Sequence, residues 1–163
     1  MDIISIIVFI VGLVGIIAVS YWNVYAHKKK EKSKISFKES LELVELPIVT
    51  FKSGGKKLHF LLDTGSNISY INKEVLSELD AESLDSTSTT IGVGGAGTEV
   101  SHYLIKISYK DESFVEEFGA IDLSDAFAAI EAESHIKLHG ILGNKFFEKY
   151  KYILDFKDLV AYR

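Results

Sequence analysis

Three apolar residues, Phe60-Leu61-Leu62, run directly into Asp63-Thr64-Gly65-Ser66. A carboxylate at the end of a buried strand is costly unless it is paired or hydrogen-bonded. Thr64 and Ser66 are short hydroxyl donors. Gly65 allows a tight turn that aims backbone N–H groups back at the acid. The stretch is therefore suited to holding one carboxylate in a fixed place, although a strand-ending turn reads the same way locally. Asp-Thr-Gly occurs once in the 163 residues, and no internal repeat is found.

The N-terminus constrains the chain differently. Residues 3–26 contain no charged side chain. As a helix they would span about 36 Å, enough to cross a hydrocarbon core of about 30 Å with some tilt. Tyr21, Trp22 and Tyr25 lie at one end, where an aromatic belt belongs. Lys28, Lys29, Lys30, Lys32 and Lys34 follow, whereas only the amino terminus and Asp2 precede the span. The expectation is a transmembrane helix in residues 1–26, single-pass in the cell membrane, with the C-terminal side in the cytoplasm. Ala18-Val19-Ser20 resembles a signal-peptidase site, but a basic n-region is missing and the lysines are on the wrong side. Residues 27–42 read as a basic juxtamembrane linker and residues 43–163 as the folded domain.

Residues 39–163 carry 12 basic and 21 acidic side chains, a net charge of −9. No basic stripe is present, so nucleic acid is not an expected partner. The absence of cysteine excludes disulfides and thiolate chemistry. Residues 43–51 are β-like, with Pro47 at a strand start or edge. Ser53-Gly54-Gly55 is a turn, and residues 56–62 return as a strand. Residues 67–71 form another short strand, and Asn72 caps a helix over 73–79. Residues 80–88 read as polar loop. Residues 89–109 form two strand-like arms around the tip Gly92-Val93-Gly94-Gly95-Ala96-Gly97. These glycines also fit G-x-G-x-x-G, but that fingerprint needs a helix next, and 98–109 alternates as a strand. No dinucleotide or other cofactor is expected. A strand over 114–121 and a helix over 124–133 follow. His135 and His139 have the i,i+4 spacing of metal ligands, yet no third ligand is near. They read as solvated loop histidines, and no metal is expected. Gly140-Ile141-Leu142-Gly143, a helix over 145–150 and a terminal hairpin complete the chain.

In this order the pieces resemble the retropepsin-like aspartic proteases over residues 43–163. The resemblance rests on apolar-Leu-Leu-Asp63-Thr64-Gly65-Ser66, on the glycine-tipped hairpin about thirty residues later, and on Ile141-Leu142-Gly143. It implies a mostly β, single-lobe, closed antiparallel β-barrel with short helices, preceded here by the transmembrane helix. It also implies an aspartic endopeptidase that acts on polypeptide as a homodimer, because one lobe supplies one Asp. Asp63 would then be the catalytic acid/base, with Thr64 bracing the two loops across the dimer and Gly65 bringing its N–H to the carboxylate. Gly92 to Gly97 would form the substrate-covering flap. Ile141 and Leu142 would pack beneath the loop, with Gly143 permitting close approach. Ser66 is expected to donate a hydrogen bond to ionised Asp63. A non-catalytic peptide-binding or dimerisation module on the same fold is the alternative. An anchored structural protein, in which Asp63 only ends a strand, is a third.

Overall fold

The computed structural model describes residues 3–32, 34–91 and 97–163, and the side chains of residues 10–26, 34–90 and 97–163 among them. Contacts divide the chain into two units, Met1–Lys34 and Ile35–Arg163.

In the first unit, helix α1 (Ile3–Lys32) continues past the apolar run into the lysines. Among the described residues, no helix is long and apolar enough to cross a membrane. The transmembrane helix expected over 3–26 is therefore not shown by the structure, and the side chains of 3–9 lie outside the described residues.

The second unit starts at Ile35, eight residues before the expected boundary. Strand β1 (Ile35–Ser36) and helix α2 (Lys38–Val44) belong to it. Ile35 and Phe37 are buried in its core. Residues 43 and 44, expected in a strand, instead end α2, because Glu45 turns left-handed (φ 56°) and Pro47 cannot continue a helix. Strand β2 (Ile48–Ser53) then pairs with β3 (Lys56–Leu62). Gly54 and Gly55, at φ 55° and 87°, make the two-residue turn that this hairpin requires.

Strand β4 (Ser69–Asn72), helix α3 (Lys73–Leu76), β5 (Ala81–Ile91), β6 (Gly97–Tyr109) and β7 (Glu112–Ile121) follow. Helix α4 (Ser124–Ser134), β8 (Gly140–Leu142) and α5 (Asn144–Tyr150) lead to the terminal hairpin of β9 (Ile153–Asp155) and β10 (Val160–Tyr162). Residues 81–88, expected as loop, are strand. Their polar side chains hide the alternation, but β5 is an edge strand whose pairing with β6 supplies what its sequence does not. A register shift between Ser83 and Thr87, with Asp85 at φ 49°, breaks the period further.

The main sheet has the order β2-β3-β8-β4-β7-β6-β5, and a single pair, Lys52 with Ser108, brings β2 back to β6. Of the expected closed antiparallel β-barrel, the structure shows a mostly antiparallel sheet that is mixed at two pairs. β3 pairs with β8, and β4 with β7, in parallel. Parallel neighbours need long crossovers, and here α4 precedes β8. β1, β10 and β9 form a second, three-stranded sheet.

Leu58, Phe60 and Leu62 of β3 enter the main core with Phe51, Phe114, Phe118 and Phe146. Leu61, on the other face, joins a smaller cluster of Ile48, Leu123, Phe127 and Leu138 beneath α2 and α4. Asp122, one residue outside the N-cap of α4, accepts from the Ser124 N–H at 3.0 Å. That bond holds its carboxyl below the usual range.

His135 is exposed, at the left-handed end of α4. His139 is not a solvated loop residue as expected. It is buried, accepting the His59 N–H on Nδ1 at 3.0 Å and donating its own backbone N–H to the His59 carbonyl at 2.9 Å. Burial, and then the charges of His59, Lys56 and Lys137, pull its pKa down to about 4. The unfolded chain therefore takes up a proton near pH 6.5 that the native state refuses. Stability is full above about pH 6.5 and falls as pH drops toward 4. Denaturant titrations at pH 7.5 and 5 will show this loss. His139→Asn, whose Oδ1 replaces Nδ1 as acceptor without titrating, will flatten it.

Candidate functional site

Strand β3 ends at Leu62, and the Asp63 N–H donates to the Leu142 carbonyl of β8 at 3.0 Å. That bond extends the parallel register Phe60–Gly140, Leu61–Ile141, Leu62–Leu142 by one step. Asp63 is thus delivered half-buried at the strand end. Its Oδ1 accepts the Gly65 N–H at 2.8 Å. A Cβ on residue 65 would lie 3.1 Å from the same oxygen, so glycine fits where the backbone approaches the acid. The Ser66 N–H closes the turn on the Asp63 carbonyl at 3.2 Å.

The hydroxyl of Ser66 does not serve Asp63. It donates to the Ile68 carbonyl at 2.8 Å. A serine side chain reaches a backbone group two residues on more readily than a carboxylate already engaged by Gly65. The expected Ser66–Asp63 bond is corrected accordingly. Thr64 is exposed, and no hydrogen bond of its hydroxyl is found among the described residues.

Behind the loop, Leu142 is fully buried and Ile141 packs into the smaller cluster. Gly143 sits where a Cβ would meet the Ile68 carbonyl at 2.3 Å and the Ser66 carbonyl at 2.8 Å. The start of α5 then binds the loop directly. Asn144 N–H donates to the Ser66 carbonyl at 2.8 Å, and Lys145 N–H to the Asn67 carbonyl at 3.1 Å. The Asn144 side chain donates through Nδ2 to the Thr64 carbonyl at 2.7 Å.

Of the expected flap, Gly92, Val93, Gly94, Gly95 and Ala96 lie outside the described residues, and Gly97 opens β6. The arms leading to that tip are held by two side-chain hydrogen bonds. Tyr70 Oη lies 2.7 Å from Thr90 Oγ1. Ser88 Oγ lies 2.7 Å from His102 Nε2, and His102 Nδ1 lies 3.0 Å from Glu117 Oε1.

Sequence reasoning missed Asn144, Ser69 and Glu116. Ser69 is fully buried and accepts the Gly143 N–H on Oγ at 3.3 Å. It donates to Glu116 Oε1 at 3.1 Å. Glu116 had a legible signal, because it occupies the inward phase of β7 between Phe114 and Phe118. Asn144 had a weaker one, its place directly after Ile141-Leu142-Gly143.

The chain thus offers one carboxylate, half-open to solvent, on a loop pinned from behind. A carboxylate so placed can take a proton from a bound water or give one to a substrate oxygen. Removing the Asn144 side chain leaves the Thr64 carbonyl without its donor. Asn144→Ala is expected to cost about 1 kcal/mol in chemical denaturation, with faster exchange of the Ser66 amide.

The profile described as aspartyl protease matches residues 49–146, about three fifths of the chain and including Asp63 and Gly143. Among solved structures, the chain is similar to the EIAV protease complexed with the inhibitor HBY-793. The alignment covers 65% of this chain and 88% of that one, at 19% identity and a TM-score of 0.47. No curated protein sequence matches the chain significantly.

Proposed function

The chain belongs to the aspartyl protease family, and on that premise we propose that it is an endopeptidase of the retropepsin type, active as a homodimer with Asp63 of each copy at the two-fold axis. The reading is carried by one observation: Asp63 ends β3 half-exposed, with its backbone tied to Leu142 and one carboxylate oxygen held by the Gly65 N–H. Hydrolysis of a peptide bond by water needs a base for the water and an acid for the carbonyl oxygen or leaving amine. Two carboxylates about 3 Å apart share one proton and do both. This chain supplies one Asp-Thr-Gly, so a second copy must supply the other.

In that dimer, the exposed Thr64 hydroxyl is free to hydrogen-bond across the axis. Gly92 to Gly97 would close over the substrate as a flap. The substrate of this reading is polypeptide, as the family of the chain suggests.

Purified full-length chain should cleave an unfolded polypeptide, and Asp63→Asn should lower the rate by about 10³-fold or more. If the shared-proton pair is required, mixing equal amounts of the two before assembly leaves about one quarter of the wild-type rate for the same total protein. Failure of wild type to cleave at any pH between 3 and 7 ends the protease reading. Survival of about half the rate in the mixture ends the dimer reading.

Residues 3–26 are proposed as the membrane anchor, with the protease unit on the cytoplasmic side. The support is the uncharged run and the five lysines after it. Anchoring would confine copies to a plane and raise their effective concentration for pairing. In right-side-out vesicles, externally added protease should leave the C-terminal unit intact until detergent is added. Degradation without detergent reverses the orientation.

A further inference from the structure

Glu116 is a carboxylate with 2% exposure, close behind the loop that carries Asp63. Its Oε1 accepts from Ser69 Oγ at 3.1 Å. Ser69, itself fully buried, accepts the Gly143 N–H at 3.3 Å. The other oxygen of Glu116, Oε2, lies 3.3 Å from Lys149 Nζ of α5. Lys149 of α5, Glu116 of β7 and Ser69 of β4 thus form a chain that ends on the Gly143 N–H, and a Cβ on Gly143 would meet the Ser66 and Ile68 carbonyls. A well-packed apolar side chain would fill the Glu116 position at no greater energetic cost. The carboxylate gives the Ser69 hydroxyl a fixed direction: with Glu116 ionised, Ser69 must donate to it and so presents a lone pair to Gly143.

We propose that Glu116 is a positioning residue for Asp63, acting through Ser69 to hold the Gly143 amide against which the active-site loop rests. The kinetic consequence rests on the protease reading, but the geometry does not.

The charged neighbours are Lys149 and Lys145 from α5 and Glu117 from β7, which line a cavity of about 90 Å³ with Glu116 and Ile68. β4 contributes Ser69, and the β6 residue opposite Glu116 is Ile105. Burial raises the Glu116 pKa, opposed by Lys149 and Ser69, and Glu117 raises it further. The ionised relay therefore fades as pH falls through that raised value. Support for the Asp63 loop fades with it.

The test uses the full-length chain and compares wild type with Glu116→Gln, Glu116→Ala and Ser69→Ala. Glu116→Gln keeps an oxygen before Ser69 but cannot titrate. Its neutral amide stands in for the protonated acid, so it should lower kcat about threefold at pH 7, toward the level wild type reaches at low pH, and remove the acid-side step that Glu116 contributes to the kcat profile. Glu116→Ala and Ser69→Ala should lower kcat about tenfold with little change in KM. A Glu116→Gln profile superimposed on wild type overturns the proposal, as does an alanine effect confined to KM. Hydrogen exchange at residues 142–146 provides a readout independent of catalysis. About tenfold faster exchange at pH 7 in both alanine variants supports the relay even in a chain that cleaves nothing. Unchanged exchange overturns the relay, whatever the activity.

Discussion

The second unit depends on the insertion of three residues, Gly140-Ile141-Leu142, between β3 and β4. This strand is parallel to one neighbour and antiparallel to the other. Its glycines have no room for a side chain: a Cβ on Gly140 would lie 2.2 Å from the Tyr70 carbonyl, and one on Gly143 2.3 Å from the Ile68 carbonyl. The backbones approach this closely only because neither residue carries a side chain. Because the Asp63 N–H bonds to Leu142, the carboxylate inherits the position of this wedge. The precision of the site is a packing property of the strands behind it.

The rest of the unit braces the wedge. Helix α5 donates its first backbone N–H groups and the Asn144 amide to the loop. On its inner side, Phe146 stacks on Tyr152 at 5.9 Å and meets Phe114 at 5.6 Å. The aromatic core therefore fixes α5, and α5 fixes the loop. On the opposite face, His139 ties the residue before β8 to His59, and α4 covers the smaller cluster with Phe127. Buried aromatic surface of this size contributes several kcal/mol, whereas the loop bonds contribute about 1 kcal/mol each. Bulk stability thus comes from the core, and the hydrogen bonds determine where the loop sits.

Legibility in the sequence followed local chemistry. The β2–β3 hairpin could be read because Gly54-Gly55 admits few backbone conformations and apolar alternation flanks it. Asp63-Thr64-Gly65 could be read because an acid ending an apolar run is unusual. Residues 81–88 of β5 could not, since their partner β6 stabilises them and they are polar. The burial of His139 could not, since His59 lies eighty residues away. Ser66 lies three residues from Asp63 in sequence, but the backbone geometry sends its hydroxyl to Ile68.

What the sequence by itself determined is a carboxylate with a glycine beside it, the glycines that admit close approach, and the phases of most strands. Each follows from steric or solvation limits on single residues and their immediate neighbours. Only the tertiary structure decided that β8 lies between β3 and β4, that the sheet is mixed, and that Asn144, Ser69 and Glu116 converge behind the Asp63 loop. Those outcomes depend on contacts between residues up to eighty positions apart, for which local pattern carries no register. The carboxylate can be recognised from the sequence around it, and the arrangement that holds it in place from the fold.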